Sequence, residues 1–153
     1  MFCLSLTQPW ATLVAIGAKR IETRSWATKY RGPLAIHASK GFPVTCKDLV
    51  GQMPFSHALS PHFRDGHAGV VAALPLGAVI ATCRLVDCKL IVGTPHGLTP
   101  SGKGRMLPPI EPEFSFGDYT PGRYGWILED VKLLPAPVPA KGMLGLWEWR
   151  PAA

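Results

Sequence analysis

Glycine and proline divide this chain into short segments. The 153 residues include 16 glycines and 16 prolines, and both residue types favour turns, because glycine tolerates positive φ and proline fixes φ. Elements between such frequent turns must be short, as they are in small barrels. Apolar residues make up 47% of the chain and charged residues 17%, which is typical of a globular protein. We expect one domain over residues 1–153, long enough to bury its own core.

The pattern of apolar residues predicts the order of the elements. Strands are predicted at 2–7, 20–25, 33–38, 78–85, 124–133 and 143–149. Thr7 is expected to cap a helix that has Pro9 in its first turn and ends at Gly17. Strands of uneven spacing with an early helix predict an α+β fold, a small β-barrel with flanking short helices.

The remaining segments carry weaker patterns. Residues 43–53 are expected to form a short helix or an irregular connection, and 54–69 a loop. Residues 93–122 are rich in Gly, Pro and Ser, which predicts a long excursion that acts as a lid or a mobile loop.

Cysteine usage and hydropathy indicate the compartment. Four cysteines occur without a Cys-x-x-Cys pair: Cys3, Cys46, Cys83 and Cys88. Gln8-Pro9 interrupts the first apolar run, so no secretion signal is predicted. The longest later uncharged stretch, 66–83, is too short to cross a bilayer. We therefore expect a cytoplasmic protein with free cysteines and no membrane contact.

The net charge of +6 lies in one part of the chain. Residues 1–47 contain seven basic residues and one acid, whereas the other 106 contain nine of each. A localised basic surface favours polyanions, because phosphate neutralisation releases counterions. The alternative interpretation is a solvated basic face that aids solubility.

The segment 17–24, GAKRIETR, is the most informative one. Strand alternation places Arg20, Glu22 and Arg24 on one face and the residues between them on the other. Glu22 between two arginines stays ionised and can accept a hydrogen bond from a base amine. Lys19 and the arginines can bind phosphate. The alternative is a salt-bridged surface strand, which stabilises little.

This segment, GxKxxExR, resembles the signature of the ASCH domain, a relative of the PUA RNA-binding domain. Five further blocks resemble bacterial ASCH proteins: LSLTQPWA (4–11), YRGPLAIHA (30–38), LGAVIA (76–81), YGWILE (124–129) and PAKGMLGLW (139–147). The resemblance implies a PUA-like barrel, a cleft lined by 17–24, and binding of single-stranded RNA, a nucleotide or a modified nucleoside.

The residues expected to bind the ligand are Lys19, Glu22, Arg24, Trp26, Tyr30, Arg31, His37, Ser39, Lys40 and Lys141. Trp26 or Tyr30 would stack on a base, as aromatic side chains do with unpaired bases. His37 is either a proton shuttle or a satisfied core histidine. Trp10 and Trp126 are expected to pack the core. The three loop histidines at 57, 62 and 67 lack metal-ligand spacing, so neither a metal nor a cofactor is predicted.

Hydrolysis is the alternative function, as a ribonuclease or a nucleoside amidohydrolase with Lys19 and Glu22 as its catalytic pair. Relatives that deacetylate N4-acetylcytidine have a threonine three residues after the lysine, where this chain has Glu22. Thr23 is adjacent but faces away by alternation. A third possibility is a protein-interaction module that keeps the fold without the ligand.

Overall fold

The computed structural model describes residues 1–95 and 102–151. Seven strands form one mixed sheet: β1 (Phe2–Leu6), β2 (Ile21–Arg24), β3 (Gly32–Ala38), β4 (Ala78–Ile91), β5 (Arg105–Met106), β6 (Tyr124–Pro139) and β7 (Leu146–Glu148). Four short helices accompany it: α1 (Trp10–Ala15), α2 (Val44–Val50), α3 (Phe55–Leu59) and α4 (Gly66–Ala73). The predicted α+β class is confirmed.

The strand order across the sheet is β2-β6-β4-β3-β1-β7, with β5 paired to the end of β4. β1 runs parallel to β3, and the other pairs along this path are antiparallel. Within residues 1–95 and 102–151 no pairing joins β2 to β7. The sheet is therefore open, and the predicted barrel describes it only loosely.

β4 and β6 are the long central pair, and both continue past their predicted ends. The sequence predicts strands at 78–85 and 124–133, whereas the strands reach Ile91 and Pro139. Their register shifts at three points, between Val79 and Ala81, between Thr82 and Arg84, and between Leu85 and Asp87. Such irregularities bend a strand and disturb its alternation, which hides the extensions from a pattern search.

Helix α1 packs on the sheet and orients the segment that follows it. Its start differs from the prediction, because Thr7 makes no capping hydrogen bond and the Gln8 side chain takes that role. Gln8 Oε1 accepts from the Thr12 backbone N–H at 3.1 Å. The predicted stop is confirmed, since Gly17 has φ +78°, a conformation that favours glycine.

A second apolar cluster lies on the far side of α1 and corrects the prediction for 54–69. That segment was expected to be a loop, but it contains α3, a 3₁₀ turn and the start of α4. Phe55, Leu59 and Val70 are buried there against Leu13. Burial of these side chains holds helices that are too short to show clear periodicity.

The predicted excursion over 93–122 contains some regular structure. Residues 96–101 of it lie outside the described residues. The rest contains β5 and a 3₁₀ turn at Phe114–Phe116, and Phe116 is 1% exposed in the second cluster. The part from Glu113 to Asp118 is thereby anchored beside β2.

No helix in the part of the chain that the structure describes is long and apolar enough to cross a membrane.

Candidate nucleic-acid interface

Lys19, Glu22 and Arg24 form a charged cluster. Lys19 Nζ lies 3.7 Å from Glu22 Oε2, and Arg24 Nε lies 3.4 Å from Glu22 Oε1. Lys19 Nζ also donates to the carbonyl of Ile21. The three side chains that the sequence placed together are therefore in contact.

Burial is the main influence on the pKa of Lys19. The residue is 1% exposed, and burial lowers the pKa of its ammonium below the ordinary value. The carboxylates of Glu22 and Glu113 act in the opposite direction. The effect of burial is the largest of these, because the ammonium lies inside the protein.

A segment from about 90 residues later covers the free edge of β2. The Glu113 carboxylate accepts hydrogen bonds from the backbone N–H groups of Arg20 and Ile21, at 3.0–3.2 Å. The Asp118 N–H donates to Thr23 Oγ1 at 3.0 Å. β2 pairs with β6 on its other side, so the residues at 113–118 close this edge.

Strand alternation predicted that Glu22 and Thr23 face opposite sides, and this prediction does not describe their surroundings at the edge of β2. Glu22 and Thr23 line the same small cavity, although they were expected on opposite faces. The cavity lies beside an edge strand, where neighbouring side chains can both be reached. We call it the Trp10 pocket; its volume is about 300 Å³, and its lining is Trp10, Glu22, Thr23 and residues 115–118.

A larger cavity, which we call the His37 groove, lies by β1 and β3. Its volume is about 1170 Å³. The groove is lined by Ser5, His37, Ser39, Lys40, residues 76–77 and residues 139–144. Lys40 and Lys141 are exposed. Four of the predicted ligand residues therefore share this groove: His37, Ser39, Lys40 and Lys141.

His37 is a satisfied buried histidine. It is 2% exposed, with Nδ1 3.1 Å from Ser5 Oγ and Nε2 3.0 Å from the carbonyl of Ala140. Trp147 donates from its indole to Ser5 Oγ at 3.1 Å. Of the two roles that the sequence left open for His37, this geometry fits the core histidine.

Ser5 links the charged cluster to the His37 groove. Arg24 Nη2 donates to the Ser5 carbonyl at 3.0 Å, while the Ser5 hydroxyl contacts His37. A continuous series of contacts thus runs from Lys19 through Glu22, Arg24 and Ser5 to His37.

Trp26, Tyr30 and Arg31 line neither cavity. Trp26 is 36% exposed and meets Trp126 edge-on, with 4.6 Å between ring centroids. The Tyr30 hydroxyl donates to the Pro33 carbonyl. Arg31 Nη2 lies 3.3 Å from Asp87 Oδ1. The contacts of these three side chains are with the protein itself.

Ion pairs within the protein neutralise part of the positive charge of residues 1–47. Of the seven basic residues in 1–47, Lys19 and Arg24 contact Glu22, and Arg31 contacts Asp87. Lys40 forms no ion pair among the described residues and lies at the groove. The charge available to a polyanion is therefore smaller than the sequence count.

Several residues at the site could not be recognised from the sequence. Trp10 packs against the second apolar cluster as expected, but it also lines the small pocket, which the sequence did not indicate. Glu113, Phe116 and Asp118 belong to a segment with no motif and were not singled out. Only a contact between positions about 90 apart reveals them.

No group of three or more His, Cys, Asp or Glu residues in the described ranges has the arrangement of a metal site.

A protein-family model for the ASCH domain matches residues 4–96, more than half of the chain. The chain belongs to the ASCH domain family. The match includes GxKxxExR, α1 and most of the strands that surround Ser5 and His37. This family is linked to RNA binding.

Two curated relatives are similar to part of this chain. The chain is 34% identical over 89 residues to human Activating signal cointegrator 1 and 33% identical over 89 residues to the mouse protein of that name. The aligned part is 57% of this chain and 14% of each relative. The chain thus spans about one seventh of the length of these relatives.

Proposed function

We propose that this ASCH domain binds single-stranded RNA, or a nucleotide within it, along the surface that joins the two cavities. The observation that carries the proposal is the connection through Ser5, whose two oxygen atoms contact Arg24 and His37. Membership of a family linked to RNA binding supports it. Cytoplasm is the proposed compartment, in keeping with four free cysteines.

Phosphate contacts are assigned to the His37 groove. Lys40 and Lys141 are exposed and line the groove, so their ammonium groups can neutralise phosphates without breaking an internal ion pair. Ser39 also lines the groove and offers a hydroxyl. Arg24 has a holding role, because its guanidinium already contacts Glu22 and the Ser5 carbonyl.

Base contacts are assigned to the other end of the surface. Glu22 lines the Trp10 pocket and its side chain is 12% exposed. Lys19 keeps this carboxylate in place from inside the protein. Trp26 and Tyr30 stay proposed contacts for flanking bases through their partly exposed rings.

The test is a fluorescence-anisotropy titration of a single-stranded RNA at several salt concentrations. Phosphate contacts predict an affinity that falls with added salt, with a slope of about 0.7 for each cation engaged on a single strand. The double variant Lys40→Ala/Lys141→Ala should bind more weakly and with a smaller slope. Lys132→Ala, an exposed β6 lysine outside both cavities, is the matched control.

Two results would count against the proposal. The first is no detectable RNA binding at low salt. The second is an affinity that does not change with salt or with removal of both groove lysines, because a polyanion site without phosphate contacts contradicts the argument from charge.

A further inference from the structure

The Trp10 pocket has the size and walls of a site for one small planar group. Its volume of about 300 Å³ is at the lower end of the roughly 300–1,000 Å³ range of ligand pockets. Two aromatic side chains, Trp10 and Phe116, contribute to its lining. Phe116 is fixed in the second cluster, and Trp10 meets Phe55 edge-on at 6.2 Å. Aromatic walls of this kind hold bases by contact with their faces.

The backbone of the covering segment offers few hydrogen-bond donors to this pocket. All four N–H groups of residues 115–118 are used inside the protein. Their acceptors are Glu111 Oε2, the carbonyls of Glu113 and Phe114, and Thr23 Oγ1. The backbone of this wall can therefore offer a ligand only oxygen atoms, which are hydrogen-bond acceptors.

Two carboxylates add further acceptors. Hydrogen bonds from Thr120 and the charge of Arg123 lower the pKa of Asp118, so this group is ionised. Glu22 is close to Lys19 and Arg24, at 3.7 and 3.4 Å, distances at or beyond the usual limit of a hydrogen bond. Its oxygens therefore have capacity for an N–H donor from a ligand.

Thr23 complements this acceptor with one donor. Its Oγ1 already accepts from Asp118, which leaves the hydroxyl proton free to point at a ligand acceptor. Adenine and cytosine carry an amine donor beside a ring-nitrogen acceptor. Uracil has a carbonyl where cytosine has its amine, so its oxygen would face the Glu22 carboxylate.

We propose that the Trp10 pocket takes one unpaired adenine or cytosine of the bound RNA, with the base amine donating to Glu22. The inference rests on the proposed function and specifies the base that this surface prefers. Specific acceptance of an amine by a carboxylate discriminates by about tenfold or more.

The experiment compares RNA hexamers of cytidine, adenosine and uridine at one low salt concentration. We expect the cytidine and adenosine hexamers to bind at least about tenfold more tightly than the uridine hexamer. Glu22→Gln should remove most of this preference, because an amide can donate to a carbonyl as well as accept from an amine. Glu129→Gln, an exposed acid outside the Trp10 pocket, should keep the preference.

A second readout covers the case in which Glu22→Gln disturbs the fold. The fluorescence of Trp10 is obtained by subtracting the emission of the Trp10→Phe variant from that of the wild type. We expect the cytidine hexamer to quench this Trp10 fluorescence and the uridine hexamer to change it less. Equal affinity for all three hexamers overturns the base assignment and leaves RNA binding in place. If none of the three hexamers binds, both the base assignment and the proposed RNA binding are overturned.

Discussion

Gly142 lies against the imidazole of His37. A Cβ atom at position 142 would fall 2.5 Å from His37 Cε1 and 2.9 Å from Ser5 Oγ. Neither neighbour can withdraw easily, because both are hydrogen-bonded and His37 is buried. Only a glycine lets the backbone of the His37 groove approach this closely.

Gly142→Ala should therefore destabilise the protein by about 1–3 kcal/mol, the usual cost of forcing an extra carbon into a packed site. Denaturant unfolding measures this change. Gly41→Ala is the matched control, since a Cβ there meets nothing within 4 Å, and its effect should be within about 0.5 kcal/mol of zero. Equal stability of the two variants would show that the backbone at 142 moves away freely.

Lys19 should make stability increase with pH in the alkaline range. Burial lowers its pKa in the folded state below 10.5, so the unfolded chain binds more protons between the lowered pKa and about 10.5. The free energy of unfolding contributed by this group therefore rises with pH across that window. The measurement is the difference in unfolding free energy between wild type and Lys19→Met at several pH values. A difference that is flat or falls with pH contradicts the burial argument.

Cys3 and Cys83 should make the stability of the protein decrease with pH in the alkaline range. Burial raises the pKa of each thiol from 9.0 to about 12, so between these values the folded state keeps protons that the unfolded chain loses. Their contribution to stability is present below pH 9 and is lost as the pH rises toward 12. Iodoacetamide in mild alkali should modify Cys46 and Cys88 first, as mass spectrometry of peptides can show. Rapid labelling of Cys3 or Cys83 in the native protein would contradict this.

Glu113→Ala should loosen the wall of the Trp10 pocket. The Glu113 carboxylate accepts from the N–H groups of Arg20 and Ile21, and these hydrogen bonds are worth about 1–2 kcal/mol together at a partly exposed site. Urea unfolding gives the loss. Glu148→Ala removes an acid from an exposed pair with Arg150 and should cost little. If the two variants lose the same stability, the hydrogen bonds of Glu113 do not hold the wall of the Trp10 pocket in place.

No release of cytidine from N4-acetylcytidine is expected. Lys19 Nζ is enclosed and donates to the Ile21 carbonyl, while Thr23 Oγ1 accepts from Asp118. The position three residues after Lys19 holds Glu22, which has no hydroxyl to attack an acyl carbon. Chromatography after incubation of the nucleoside with the protein provides the check. Turnover that disappears in Lys19→Ala would establish the amidohydrolase alternative.

The sequence predicted most of the fold because its local patterns agree with the sheet. The strands predicted at 2–7, 33–38 and 124–133 correspond to β1, β3 and the start of β6. The stop at Gly17 and the contact of Lys19 with Glu22 follow from residues that are close in the chain. Such local relationships are the ones that periodicity and spacing can reveal.

The rest depended on contacts that no local pattern encodes. Glu113 reaches β2 across about 90 residues, and the edge position of β2 let Thr23 and Glu22 line one cavity. The helices after Pro54 are held by burial of Phe55 and Leu59 rather than by helical periodicity. Burial also outweighed Glu22 at Lys19, and burial of a lysine is a property of the whole fold.

The contacts of His37 with Ala140 and Ser5 fix the direction in which protons are shared. A carbonyl can only accept, so the Ala140 carbonyl requires a proton on His37 Nε2. The neutral imidazole then accepts at Nδ1 from the Ser5 hydroxyl, whose oxygen in turn accepts from the Trp147 indole N–H. The Ala140 carbonyl thereby selects one tautomer of a side chain more than 100 positions earlier. A base at this place would need a free nitrogen, and here both nitrogens are engaged by the fold itself.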